Sequence, residues 1–329
     1  MAETSDNRKN NDTSVMIFKG KRLIVNLTPM IGLIGLIIIC SLIVPKLFMS
    51  LSNWSNILRQ VTILGFAALG MTIVILTGNI DLSVIGNVSM TTCLAAILLQ
   101  HNWNLIPTFA IVILAGAFIG LINGLIISFW KIESFVVTMG MQVICFGLAQ
   151  YISGGRTIII QNLNPFMIEL ASYRIANIIP GMFVILIIFY IILWIFTRNT
   201  KLGRYIYALG GNEEVCYISG VNVTFVRTTA YIISGIFAAI AGIFTFSRSL
   251  CGDPTAGSSL GMYVIAAVVI GGTKMSGGRG NVLFTIIGIF VIGIINNMLN
   301  LIGFKYYAQQ IIQGIIIISA VIAGSQKRR

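Results

Sequence analysis

Ten apolar runs, at about residues 23–44, 61–77, 84–100, 105–129, 135–151, 179–197, 229–247, 260–273, 282–299 and 306–323, take up most of the chain. A helix crossing the hydrocarbon of a bilayer needs ~20 apolar residues, and in lipid every backbone amide must find its partner within the spanning structure. Helices meet both demands. The chain is therefore expected to fold as an all-α membrane protein of about ten transmembrane helices. Composition excludes the soluble alternative, because 57% of the residues are apolar and only 9% charged, whereas soluble domains run near a quarter charged. Such a chain cannot coat a water-facing surface.

Charge orients the bundle. The net charge is +12, which in a soluble chain would suggest nucleic acid; here it is read as basic segments facing the cytoplasm, with membrane lipid and no nucleic acid as partner. With residues 1–22 as a cytoplasmic tail and ten spans, fifteen basic residues fall inside and six outside. Both termini are then cytoplasmic, with 23–323 as the membrane domain and 324–329 as a short tail. An eight-span arrangement, with 84–100 and 260–273 as re-entrant pieces, places the tails equally well. Two connections exceed simple turns: an outer one at 152–178, with room for a short helix, and an inner polar one at 198–228.

Catalytic patterns are missing. Five scattered cysteines lack CxxC spacing and read as packing residues. No metal-binding HExxH and no nucleotide-binding GxxxxGK[ST] occurs, and Gly257-Ser258-Ser259-Leu260-Gly261 has no histidine partner that would make its serine a nucleophile. His101 reads as a solvated residue at a span end. No catalytic, metal or cofactor residue is assigned, and any ATP must be hydrolysed on another chain.

Intramembrane charge is costly and by default functional. Asp81, in Gly78-Asn79-Ile80-Asp81-Leu82-Ser83, is the one acidic residue close to an apolar span. A Gly-Asn break followed by Asp would end one helix and cap the next, and a broken helix at membrane depth often lines a polar cavity. Asn79, Asp81 and Ser83 are thus candidates for a translocation path, with a capped turn near the inner surface as the competing reading. Gly116, Gly120 and Gly124 recur every four residues and read as a close helix contact. IGLING (119–124) and IGIINN (292–297) hint at an inverted repeat, a common transporter plan.

The segments GRYIYALGGNEEVCYISGVNV (203–223), DPTAG (253–257), AVVIGGTKMSGGRGNVLFTIIG (267–288) and NNMLNLIGFKYYAQQIIQG (296–314), with GNIDLS (78–83) and FVVTMG (135–140), closely resemble the permease subunit of ribose-type monosaccharide ABC importers. The resemblance implies an inner-membrane permease, itself no enzyme, that passes a small sugar such as ribose by alternating access. It implies three kinds of partner: a cytoplasmic ABC ATPase that binds ATP, an extracytoplasmic sugar-binding protein, and a second permease copy or sister permease. It also implies that Gly211, Asn212, Glu213, Glu214 and Gly220 belong to the coupling helix that enters the ATPase. Val215, Cys216 and Tyr217 stand where the family usually has small alanines, Gly261 and Tyr263 where it usually has two acids, and Ser134 where proline is common. The alternative is an ion-coupled secondary transporter of a small polar solute. It would need an acid to carry the ion, and Asp81 alone qualifies.

Overall fold

A computed structural model describes residues 29–160, 165–175, 178–305, 307–312, 314–315 and 318–319. The proposed tails, 1–22 and 324–329, lie outside the described residues, as does most of the end of the last apolar run. In chain order the helices are α1 (Pro29–Ile43) and α2 (Pro45–Phe48), then α3 (Leu51–Leu76), α4 (Ser83–Gln100), α5 (Leu105–Trp130) and α6 (Ser134–Ser153). After them come α7 (Pro165–Ser172), α8 (Gly181–Asn199), α9 (Lys201–Gly211), α10 (Glu213–Ile218), α11 (Val223–Ser249), α12 (Gly261–Ile270) and α13 (Val282–Leu301). Four two-residue strands form two antiparallel bridges, β1 (Ile158–Ile159) with β4 (Cys251–Gly252) and β2 (Arg174–Ile175) with β3 (Ile179–Pro180). Further helical residues lie at 307–312.

Among the described residues seven helices, α3, α4, α5, α6, α8, α11 and α13, are long and apolar enough to cross a membrane. The all-α membrane fold is therefore as the apolar runs suggest. The run at 260–273 differs: α12 has ten residues, which at 1.5 Å per residue reaches about 15 Å, half the hydrocarbon thickness. It is preceded by a turn of 3₁₀ helix at Ala256–Ser259. Within the polar stretch 198–228, α10 stands where the resemblance implies a short helix, and α9 is a helix where the sequence shows only a polar connection. Within 152–178 the expected short helix is α7, fastened to the bundle where the Ser247 hydroxyl donates to the Met167 carbonyl at 2.8 Å.

α3 forms the centre. Ser50 caps it, its hydroxyl accepting from the Asn53 amide at 3.2 Å, and the helix is sheathed by α8, α11, α12 and α13. Phe66 stacks on Phe244 with ring centroids 5.0 Å apart, and Tyr190 of α8 donates its hydroxyl to the Gly65 carbonyl at 3.3 Å. Polar groups on α3 are matched across the interface with α13. Asn53 and Asn297 exchange amide hydrogen bonds of 3.1 and 2.8 Å, and the Thr72 and Thr285 hydroxyls lie 3.1 Å apart.

The glycine row of α5 has the packing role its spacing suggests. A methyl group at Gly120 would stand 2.1 Å from the Tyr231 carbonyl oxygen of α11, and one at Gly116 would stand 2.5 Å from that of Gly235. Such backbone-to-backbone approach is what small residues permit between membrane helices. The outward faces of α5 and α6 carry exposed Ile106, Leu114, Phe118, Val143 and Ile144, as a lipid-facing surface must. All five cysteines are free thiols, four of them buried.

Candidate functional site

Two stretches hold the residues singled out from the sequence. The first is the break between α3 and α4. Leu76 ends α3, and the chain leaves through Gly78 at φ +81°, a left-handed position that glycine adopts without a Cβ penalty. The Gly78 amide donates to the Ile75 carbonyl and the Asn79 amide to that of Val74, the paired closure of a Schellman cap. Asn79 folds back, its side-chain amide donating to Thr77.

Asp81 is 1% exposed. The carboxylate lies inside the bundle, one position ahead of the N-cap, Leu82, and is buried rather than solvated at the turn. One carboxylate oxygen accepts from the Ser83 amide at 3.0 Å and from the Ser83 hydroxyl. The other accepts from the Ser234 hydroxyl of α11 at 2.7 Å. Ser83 in turn accepts from the Asn123 amide of α5 at 2.8 Å. The neighbouring Ile80 is held by its backbone, donating to Ser134 of α6 at 3.3 Å and accepting from the Tyr231 hydroxyl at 3.2 Å. Within seven residues of Leu76, therefore, Ile80, Asp81 and Ser83 are tied to three other helices, α5, α6 and α11. Asp81, Ser83, Asn123 and Ser234 form one buried chain of hydrogen bonds, which leaves none of the carboxylate's two oxygens bare.

The second stretch is the elbow of α9 and α10. Asn212 ends α9 and caps α10, its side-chain oxygen accepting from the Val215 amide at 3.0 Å. Glu213 and Glu214 occupy the first turn of α10, where the positive end of the helix favours them. Glu213 is ion-paired with Arg227 of α11, whose side chain is buried while that of Glu213 is half-exposed. Gly220, at φ +76°, closes α10, and the next amide returns to the Cys216 carbonyl at 3.0 Å. Cys216 is buried beneath the elbow, and its thiol is pushed up from its ordinary pKa by burial and then by the charge of Glu213. Val215, Tyr217 and Ile218 are the opposite, 57%, 76% and 78% exposed. Three apolar side chains turned to the outside on one short helix make a contact surface.

The two stretches touch through glycine. A methyl group at Gly210, near the end of α9, would stand 2.0 Å from the Leu76 carbonyl and 2.4 Å from the Gly278 nitrogen. Gly278, in the connection between α12 and α13, donates to that same Leu76 carbonyl at 3.0 Å. Gly277 beside it is packed against Gly78. Tyr207 of α9 donates to the Gly280 carbonyl at 3.1 Å, and burial raises the pKa of its phenol, which keeps the donor protonated. The end of α3, the end of α9 and the α12–α13 connection are thus one backbone junction.

The structure brings Asp81 together with Ser83, and Asn212 with Glu213 and Glu214, and it adds partners the sequence left unnamed. Ser234 and Asn123 are polar residues standing alone in apolar runs, a signal of sorts; the doublets Gly210-Gly211 and Gly277-Gly278 are another. Ser134, where the resembled family often has proline, supplies the acceptor for Ile80. Among the described residues no group of His, Cys, Asp or Glu is arranged to hold a metal ion.

Comparison with known proteins extends the resemblance across the chain. Residues 53–321 match the family described as branched-chain amino acid transport system / permease component. The ribose import permease of Haemophilus influenzae is 37% identical over 309 residues, covering 93% of this chain and 95% of the relative. That of Bacillus subtilis is 38% identical over 304 residues, covering 92% and 93%. The L-arabinose ABC transporter permease of Azospirillum brasilense is 30% identical over 293 residues, covering 88% and 84%. No solved structure matches. With seven membrane-length helices and likeness along nearly its full length to permease subunits, which transport rather than catalyse, this multi-pass inner-membrane chain belongs to the family of ABC-transporter permease components.

Proposed function

We propose that the chain is the translocating subunit of an ATP-driven importer for ribose or a closely related monosaccharide. The observation that carries this reading is the α9–α10 elbow. It holds exposed Val215, Tyr217 and Ile218 beside Glu213 and Glu214, and through Gly210 it rests directly on the end of α3. A docking surface placed on a central helix is what an externally driven permease needs. In this reading Gly211, Asn212, Glu213, Glu214 and Gly220 form the coupling element; a separate ABC ATPase binds ATP and grips it. An extracytoplasmic binding protein delivers the sugar, and a second copy or sister permease completes the pathway. A cytoplasmic N-terminal tail and six crossings before the elbow, by α1, α3, α4, α5, α6 and α8, would put the elbow on the ATPase side, in keeping with the bias of basic residues toward that face.

Asn79, Asp81 and Ser83 are proposed as part of the gate to the path. The hydrogen bonds of Asp81 and Ser83 reach α11 and α5, and those of Ile80 beside them reach α6 and α11, so a movement of the α3–α4 break must exchange those partners. A neutral sugar presents hydroxyls that replace serine and asparagine partners in kind, and no ion-carrying acid is required. The scarcity of membrane charge favours this over the ion-coupled alternative.

Co-purification tests the reading. The chain with Glu213 and Glu214 intact should retain an ABC ATPase and support ATP-dependent uptake in vesicles with a sugar-binding protein. The double variant Glu213→Lys, Glu214→Lys should lose both. Uptake by the chain alone under an ion gradient, with no ATPase bound, would sink it.

A further inference from the structure

Beside the elbow, and separate from its exposed tip, a cavity of 470 Å³ is lined by Trp194, Thr197 and Arg198 of α8, by Arg204 and Tyr207 of α9, and by Gly280 and Asn281. The volume suits a small ligand or a lipid headgroup. Its chemistry is one-sided. The Arg198 guanidinium lies over the Trp194 ring, 5.4 Å from the centroid, a stacking that fixes the fork and leaves its N–H edges free to meet an anion. Arg204 supplies a second guanidinium. The one ion pair among the described residues uses Arg227 and Glu213, so neither cavity arginine has a carboxylate partner there. The chain has nine acidic residues against 21 basic ones, and an external anion is the natural counter-charge.

The approach to the cavity names the ligand class more closely. Ile188, Ile191 and Ile195 are exposed on α8, and their spacing of three and four residues continues to Arg198, so all four share one helix face. An apolar stripe that ends in a tryptophan and an arginine is the pattern of a membrane interface. From this arrangement we infer that the cavity is a binding site for the phosphate headgroup of an anionic phospholipid, its acyl chains lying along the α8 stripe and its phosphate held between Arg198 and Arg204. Basic pockets between helices are suited to such headgroups. The leaflet, but not the ligand, rests on the orientation proposed above; that orientation makes it the inner one. Because α9 forms one wall and also carries Gly210, a bound headgroup braces the base of the elbow.

The test uses the full chain in nanodiscs, with Trp54, Trp103 and Trp130 replaced by phenylalanine so that Trp194 alone emits. Phosphatidylglycerol brominated near its headgroup should quench Trp194 at a far lower mole fraction than brominated phosphatidylcholine. The pair Arg198→Gln, Arg204→Gln should weaken that preference by about 30-fold, at about 1 kcal/mol for each basic residue, while Arg198→Lys, Arg204→Lys keeps most of it. Inorganic phosphate at millimolar concentration should leave the quenching unchanged. Equal quenching by the two lipids, a preference that survives the glutamine pair, or its removal by inorganic phosphate each overturns the assignment; the last would make the site one for a soluble phosphate. If instead the glutamine pair releases the ATPase in the co-purification test while lipid preference stays, the arginines belong to the ATPase contact and the lipid site falls, leaving the transport reading intact.

Discussion

The α3–α4 break and the α9–α10 elbow are both places where a helix stops and another starts within a few residues, yet they are finished in opposite ways. At the break the polar groups are buried and paired: Asp81 meets Ser83 and Ser234, Ser83 meets Asn123, and Ile80 is held at both backbone ends. At the elbow the polar groups serve local caps and one ion pair, while Val215, Tyr217 and Ile218 remain bare. The first is closed by this chain alone. The second is left open on its outer face. An interior polar network costs a great deal to disturb, because each stranded donor forfeits its desolvation; a bare apolar tip costs little to alter until its partner arrives.

The sharpest way to break that contrast is at Asp81. Asp81→Ala strands three buried donors, the Ser83 amide and the Ser83 and Ser234 hydroxyls, and should cost about 3 kcal/mol or more. Asp81→Asn keeps an acceptor for Ser83 and should cost clearly less. Thermal unfolding of the two purified variants compares them, and equal losses would mean that the carboxylate's charge, rather than its hydrogen bonds, matters. Next comes Gly210→Ala, whose methyl would press on the Leu76 carbonyl. Overpacking of this kind should lower stability by about 1–3 kcal/mol, and uptake should fall more than ATPase binding, since the elbow's surface is untouched.

Glu213→Gln should do less, about 1 kcal/mol or below, because Glu213 is half-exposed and water screens the pair; a guanidine or thermal melt of the isolated permease measures it. The smallest stability effect belongs to Tyr217→Ser with Ile218→Ser, within about 0.5 kcal/mol. That pair should nevertheless weaken ATPase association by at least about tenfold in a pull-down titration. A stability loss at the elbow matching that of Asp81→Ala would erase the distinction between the two regions.

How far the sequence discloses this arrangement depends on the kind of signal. Long apolar runs mark α5, α8 and α13 almost to the residue, since lipid imposes a hydropathy that water does not. The start of α3 is hidden, because Asn53 and Ser55 look like surface residues and are in fact buried, Asn53 against Asn297. α9 reads as part of a polar loop, for an amphipathic helix lacks a continuous apolar run, whereas α10 stands where the resemblance implies a short coupling helix. α12 is overcalled for the reverse reason: it is apolar enough to span but too short. At the site, Asp81 and the Gly-Asn-Glu-Glu elbow stand out by residue type. Ser234 and Asn123 do not, because hydrogen bonds between positions 153 and 40 residues apart leave no trace in local pattern.

At Gly210 the parts in contact are main chain on both sides. A side chain placed between two helices behaves as a cushion, since a change of rotamer takes up a displacement and nothing beyond it need move. A carbonyl oxygen against an α-carbon has no such give. Whatever distance the end of α9 is driven, the end of α3 and the α12–α13 connection must travel with it or separate from it. Four glycines, Gly78, Gly210, Gly277 and Gly278, thereby give the molecule a linkage without backlash, in which any stroke made at the elbow reaches the end of α3 at its full size.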